Sequence, residues 1–346
     1  MVYSSPEIDP DEASTDFAGH LCENVDIAVE FRKLSMSTDE KAPLVSIGLP
    51  VYNGERYLAE AIESILSQTY SELELIICDN ASTDRTKEIC RSFVAHDNRV
   101  RYFRNASNLG AARNFNLAVE HANGKYFRWA AHDDYIAPEY VAACIEALEA
   151  DSTLVLCHSQ VEIIDENGSA VKNFDFPPDH AASAVPSIRF RDALRQDRSD
   201  FEVFGVVPTR VLRRTRMMGM YVASDRVLRA ELSLLGRFRI LPQRFCFDRD
   251  HPHRSIRVYP AHHHRASWFD PSLAGKKIFP HWRVLYEYCR TVYCASVPRW
   301  QRTQCYLHIG AWLFRDRNWA RLIADLLVAV HPDSWRWMAQ VGNRRQ

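Results

Sequence analysis

The chain has 346 residues, 43 Lys+Arg against 44 Asp+Glu, 47% hydrophobic and 25% charged side chains. It is too apolar to be wholly disordered, and its nine scattered cysteines, with no C-x-x-C, argue against a disulfide framework or a zinc ribbon. The formal net charge of −1 hides an asymmetry: residues 1–185 carry 14 basic and 31 acidic side chains, residues 186–346 carry 29 and 13, which makes nucleic acid or an anionic membrane an early candidate partner.

Residues 1–42 hold 10 acidic and 3 basic side chains and little apolar periodicity. They read as a disordered tail with a short helix near Val25–Leu34. The start, MVYSSPEIDPDEASTD, has no apolar core of a signal peptide. No apolar run is long enough to span a bilayer. With the unpaired cysteines this predicts a cytoplasmic protein, so the Asn-x-Ser sites at Asn80, Asn105 and Asn167 are expected to stay unmodified.

From Leu44 the pattern becomes regular. Val45–Tyr52 is a strand that stops at Asn53-Gly54, and Glu55–Gln68 has helical apolar spacing. Leu73–Cys78 is a buried-strand run ending in Asp79–Asp84, and a polar helix over Arg85–Ala95 follows. Next come a strand at Val100–Arg104, a helix around 111–122 after Asn108-Leu109-Gly110, and a strand at Lys125–Ala131 ending in His132-Asp133-Asp134. Pro138 opens a helix over 139–149, and Leu154–Ile164 is another strand. Residues 170–200 read as loop, 201–258 as helix and strand again, and the chain beyond about 265 as Trp/Arg/Tyr-rich helices. This alternation predicts βαβ units and a mostly parallel sheet. Asn53, Asp79 and Asp133 fall at strand C-termini, where open α/β sheets bind ligands. There is no Walker A motif and no G-x-G-x-x-G.

Four motifs in order, Pro50-Val51-Tyr52-Asn53-Gly54-Glu55, Cys78-Asp79-Asn80-Ala81-Ser82-Thr83-Asp84, Asn108-Leu109-Gly110 with Arg113-Asn114, and His132-Asp133-Asp134, resemble the signature of family 2 glycosyltransferases. The resemblance implies an α/β GT-A fold and a nucleotide-diphospho-sugar donor. It divides the chain into the acidic tail, a GT-A domain over 43–260 (nucleotide-sugar half 43–150, acceptor half 151–260), and a basic helical extension over 261–346. Pro50, Tyr52, Asn53, Glu55, Asp79, Asn80, Arg113 and Asp133 are the implied donor contacts. Asp134 and His251 are the implied ligands of Mg²⁺ or Mn²⁺, which would neutralise the diphosphate leaving group. The family has a second acid where this chain has Asn80, and another residue at His132.

On the residues alone several roles stay open. Asp84 either contacts the nucleotide or caps the next helix. Arg113 either reaches the diphosphate or lies on the surface. Asp225, in Tyr221-Val-Ala-Ser-Asp-Arg, is the expected base, since inverting transfer needs a carboxylate to take the acceptor's proton, but it also suits an ordinary N-cap. Phe247–Ser255 resembles the family's R-x-H segment and supplies His251 and Arg249. His262–His264 read as an exposed polar run.

Seven of eight tryptophans lie beyond residue 265, interleaved with arginines, and Leu307–Val330 reads as an amphipathic stretch. Either these side chains cap the catalytic domain, or they meet an anionic membrane surface at the inner face of the plasma membrane. No nucleic-acid module is recognisable, and no nucleic-acid partner is expected. The expected activity is sugar transfer to a saccharide or lipid-linked acceptor in cell-envelope polysaccharide or glycolipid synthesis. The alternative is a non-catalytic GT-A module that uses its basic end as an interaction surface.

Overall fold

The computed structural model describes residues 42–330 except 178, 196–199 and 260–261, and except the side chains of 264 and 316. The tail and its expected helix, Trp335, Arg336 and Trp337 lie outside the described residues, apart from Ala42 at the tail's end.

The first half is an α/β layer built as the periodicity requires. Strand β1 (Val45–Val51), helix α1 (Leu58–Leu66), β2 (Leu73–Asp79), α2 (Thr86–His96), β3 (Val100–Arg104), α3 (Ala111–Glu120) and β4 (Tyr126–Trp129) follow one another. The strands pair in parallel in the order β3-β2-β1-β4, and β8 (Val207–Pro208) closes the β4 edge antiparallel. Strands buried on both faces alternate their side chains between two cores. Val45, Ile47, Leu49, Leu75 and Ile77 face the core shared with α1 and α4 (Tyr140–Ala150). Ile76, Cys78, Phe127 and Trp129 face the other.

A second sheet has the order β5-β9-β6-β7: β5 (Tyr135–Ile136), β6 (Leu154–Ile164), β7 (Ala170–Phe174) and β9 (Arg237–Arg249). A bridge from Cys157 in β6 to Val206 beside β8 joins the two sheets. Helices α5 (Pro186–Arg195), α6 (Thr209–Leu212) and α7 (Ser224–Leu235) lie between β7 and β9 in the chain.

Short helices α8 (Ser255–Val258) and α9 (His262–Phe269) follow, then α10 (Pro280–Cys294), α11 (Arg299–Phe314) and α12 (Asn318–Val330). Val284, Tyr288 and Val292 of α10 and Cys305, Ile309 and Trp312 of α11 belong to the same core as Val227, Leu228 and Phe238, so the extension packs on the α/β layers.

Three expectations change. Residues 170–200 are not all loop: β7 and α5 lie within them. The stretch Leu307–Val330 is not one helix, because a 3-10 turn at Arg315–Arg317, with Arg317 at φ 57°, separates α11 from α12. His262 and His263 are not simply exposed: His262 stacks on His281 at 4.8 Å, and His281 and His263 approach the buried Asp325 at 2.8 and 3.3 Å. Eight of the nine cysteines are described, and all eight are free.

Candidate active site

In a sheet ordered 3-2-1-4 the chain reverses direction between β1 and β4, and their carboxyl ends open a crevice on which no crossover sits. The loop after β1 (residues 52–57) and the loop after β4 (residues 130–134) meet there. Gly54 makes the contact possible: a Cβ would fall 2.6 Å from Val51 Cγ2 and 2.8 Å from the His132 ring. Asn53 before it takes the left-handed backbone that asparagine tolerates, at φ 52°.

The β1 and β2 loops are tied by reciprocal hydrogen bonds. Asn53 N–H donates to Ser82 Oγ and Asn53 Oδ1 accepts from Thr83 N–H, at 2.9 and 2.8 Å. Glu55 N–H donates to Asp84 Oδ2 and Glu55 Oε2 accepts from Arg85 N–H, both at 3.0 Å. Asp84 Oδ1 also accepts from Thr86 N–H at 3.0 Å. Burial pushes the Asp84 carboxyl up, but these bonds outweigh it and hold its pKa below the ordinary value. These bonds match a turn role for Asp84, while the N-cap position itself belongs to Arg85. Pro50 is buried within β1, while Tyr52, in the loop that follows, is 42% exposed.

Asp79 and Asn80 sit deeper. Asp79 is fully buried. Its Oδ2 accepts from Tyr102 Oη and Arg104 Nη1, both at 2.7 Å, and Oδ1 accepts from Ser82 N–H at 2.8 Å. The Asn80 amide is likewise saturated. Its Nδ2 donates to Asn108 Oδ1 (2.8 Å) and Gly110 O (3.3 Å), and its Oδ1 accepts from Asn105 Nδ2 (3.0 Å) and Leu109 N–H (2.9 Å). Both residues hold the 105–110 loop on the end of the sheet. Arg113 pairs with Glu120 on its own helix at the surface, which matches the surface reading.

The loop after β4 has a different character. β5 pairs antiparallel with β9, Tyr135 opposite Phe247, and this brings residues 248–251 beside Asp133 and Asp134. His251 Nε2–H donates to Asp133 Oδ2 at 3.0 Å, which leaves its Nδ1 a buried nitrogen with no hydrogen-bond partner. Asp134 Oδ1 accepts from Arg249 N–H at 2.8 Å. The Arg249 guanidinium is itself engaged: it reaches Glu60 at 2.6 Å and the Asp133 carbonyl at 3.0 Å, over the Tyr57 ring. Arg254 forks onto Asp248 with two bonds of 2.7 Å. The two cations are thus occupied by Glu60 and Asp248, and the Asp133–Asp134 pair has imidazole and backbone partners.

The electrostatics follow. Burial raises the pKa of Asp133, but His132, His251 and Arg254 outweigh it and hold the carboxyl below its ordinary value. For Asp134, burial and then the charges of Asp248 and Asp133 push the carboxyl well above it, against the opposing pull of Arg254. Asp134 also lines a small cavity of about 30 Å³ with Asp248, Arg128, His158 and Cys246. Both carboxylates are half-buried, and Asp133 does not line that cavity. Among the described residues, no three acidic, histidine or cysteine side chains are placed to hold a metal by themselves. A magnesium-type ion needs only one or two protein carboxylates beside substrate phosphates. Carboxylates in excess of cations and the orphan Nδ1 of His251 suit such an ion.

Asp225 lies in the first turn of α7. It is not the N-cap: Ala223, at φ 64°, holds that position, and Asp225 Oδ1 accepts from the next residue's N–H at 2.9 Å. Burial and the neighbouring Asp200 carboxylate raise its pKa to about 6, against Arg226 and Arg229. Asp200 pairs with Arg226 at 3.2 Å and Arg229 at 2.9 Å. Residues 216–223, which lead into α7, are held on α3, where Asn116 exchanges two hydrogen bonds with Met218 at 2.9 and 3.0 Å.

Sequence reasoning gave no role to Glu60, Asp248, Arg254 or Asp200. Each acts through a partner brought near only by tertiary pairing, so spacing alone carries no signal for them.

Comparisons with known proteins agree with this geometry. The profile described as glycosyl transferase family 2 matches residues 46–218. Over 141 residues the chain is 34% identical to a chondroitin synthase of Escherichia coli, covering 41% of this chain and 20% of that protein. Over 146 residues it is 34% identical to a hyaluronan synthase of Pasteurella multocida, covering 41% of this chain and 15% of that protein. The chain thus spans a fifth or less of these relatives' own length. Among solved structures, S. aureus TarS 1-349 in complex with UDP-GlcNAc superposes with a TM-score of 0.58 at 16% identity, over 83% of this chain and 81% of that one, which shows a shared fold. The chain belongs to glycosyl transferase family 2.

Proposed function

We propose that the chain transfers a sugar from a nucleotide-diphospho-sugar to a saccharide or lipid-linked acceptor, with inversion at the anomeric carbon, in polysaccharide or glycolipid synthesis. The observation that carries the reading is the Asp133–His251 pair at the crevice between β1 and β4, with the half-buried Asp134 beside it. Tyr52 offers a ring face for a base or ribose, and Asn53 and Glu55 shape the loop beneath it. Asp79 and Asn80 serve as positioning residues, since their polar atoms are already engaged.

A divalent ion such as Mg²⁺ or Mn²⁺ would be held by Asp133 and His251, and would neutralise the diphosphate leaving group. This moves the metal contact inherited by resemblance from Asp134 to Asp133. Asp134 stays beside it as part of the field. Asp225 takes the proton of the acceptor hydroxyl. The new bond joins that oxygen to the anomeric carbon as the bond to the diphosphate oxygen breaks, and the nucleoside diphosphate departs. A pKa near 6 leaves Asp225 ionised at neutral pH yet more basic than an ordinary aspartate.

The relatives named as chondroitin and hyaluronan synthases and the UDP-GlcNAc complex of TarS support sugar transfer into a polymer with a nucleotide-sugar donor. The free cysteines are compatible with a reducing compartment. The test is release of UDP or GDP from a panel of nucleotide sugars with Mn²⁺ and a saccharide or lipid extract. Acceptor-dependent release is expected, and its absence across the panel would leave a binding module.

A further inference from the structure

The C-terminal helices carry a surface that sugar transfer does not use. Of the 22 large hydrophobic side chains exposed among the described residues, 13 lie between Phe279 and Val330, so exposure is concentrated there and not scattered as on an ordinary surface. On α12, Asn318, Leu322 and Asp325 are buried inward. Trp319, Ile323, Leu326, Leu327 and Val330, at spacings of 4, 7, 8 and 11 from the first, form one exposed stripe along the helix. Among the described residues no helix is long and apolar enough to cross a membrane, so the stripe can lie on a bilayer but not span it.

The charge is one-sided. Residues 279–330 contain seven arginines, no lysine and three acids. Two of the acids, Glu287 and Asp325, are 1% exposed and engaged by arginine and histidine side chains. Arg315 and Arg317, in the turn that leads into α12, are exposed.

We propose that the outer face of α12 and the Arg315–Arg317 turn dock on an anionic phospholipid surface. The aliphatic stripe enters the headgroup–acyl boundary, Trp319 sits at headgroup depth, and the arginines meet lipid phosphates. A second copy of the chain meeting it with the same face would bring like charges together. A nucleic acid would have no use for the stripe's aliphatic side chains.

Vesicle co-sedimentation of the full chain tests this without any turnover, so its outcome is separate from that of the transfer assay. Vesicles of equal parts phosphatidylglycerol and phosphatidylcholine are expected to retain the protein, less at raised salt, and pure phosphatidylcholine to retain much less. Ile323→Glu with Leu327→Glu is expected to abolish retention at an unchanged unfolding temperature. Arg315→Gln and Arg317→Gln, both at exposed positions, are each expected to weaken it about fivefold (~1 kcal/mol per charge), which decides the matter if the glutamate variant fails to fold. Equal or no retention on the two vesicle types overturns the proposal. So does a glutamate variant that keeps lipid binding but turns a dimer into a monomer, which assigns the stripe to a second copy.

Discussion

The chain has two acidic loop ends that look alike in sequence and differ in structure. At the end of β2, Asp79 and Asn80 have every polar atom matched by Tyr102, Arg104, Ser82, Asn105, Asn108 or the backbone around Gly110. At the end of β4, Asp133 and Asp134 stand beside a third carboxylate while the nearby arginines are engaged by Glu60 and Asp248, and His251 keeps a buried nitrogen unpartnered. A matched polar cluster stabilises the fold, and one left short of positive charge is prepared for a ligand. Under the proposed function, the first cluster is the scaffold of the crevice and the second its reactive edge.

That contrast can be broken by substitution. Asp133→Asn is expected to have the largest effect, lowering turnover about a thousandfold with little change in unfolding temperature, because it removes a charge of the edge. A variant with normal turnover would transfer the role to Asp134. Asp225→Asn is expected to lower turnover about a hundredfold while sparing donor binding. The pH profile should show the same residue: activity falls as pH drops through about 6, where Asp225 takes up its proton. Stability should run the other way. The folded carboxyl binds its proton more tightly than the unfolded one, so the contribution of Asp225 to stability is largest below the unfolded value of 3.8 and declines as pH rises to about 6. Asp225→Asn should remove that decline in a series of chemical denaturations.

The scaffold side is expected to answer in stability. Asp79→Ala should cost about 2–3 kcal/mol, since it strands Tyr102 and Ser82 N–H and releases Arg104. Asn80→Asp should cost about 1–2 kcal/mol. It replaces a donor facing Asn108 Oδ1 and the Gly110 carbonyl with a charge. If Asn80→Asp raised donor affinity with no loss of stability, the scaffold role would be wrong. The smallest effect belongs to Arg113→Ala, where loss of an exposed pair with Glu120 should change stability by less than about 0.5 kcal/mol and leave turnover unchanged.

Much of the first half was legible because buried strands and amphipathic helices have strong periods, from Val45 to Ile164. The strand β7 was not, since none of its five residues is buried and nothing in it alternates. Helix α5 was hidden by a buried arginine: Arg189 occupies an inward position and donates to the carbonyls of Ser233, Ser183 and Ala184, so the apolar stripe is interrupted. At the site, the motifs lie at strand ends that the periodicity had already placed, at Asn53, Asp79 and Asp133. Which acids are internally matched was not legible, because their partners arrive from β3, from the 105–110 loop and from β9. The break between α11 and α12 left no glycine or proline in the sequence to announce it.

The most direct test of the Asp133–His251 edge is calorimetric titration of UDP and GDP into the full chain, with Mn²⁺ and with a chelator, for the wild type and for Asp133→Asn and His251→Ala. Binding of one nucleotide that depends on Mn²⁺ in the wild type and loses that dependence in both variants is expected. Equal binding with chelator, or metal-dependent binding that survives in Asp133→Asn, would contradict the assignment.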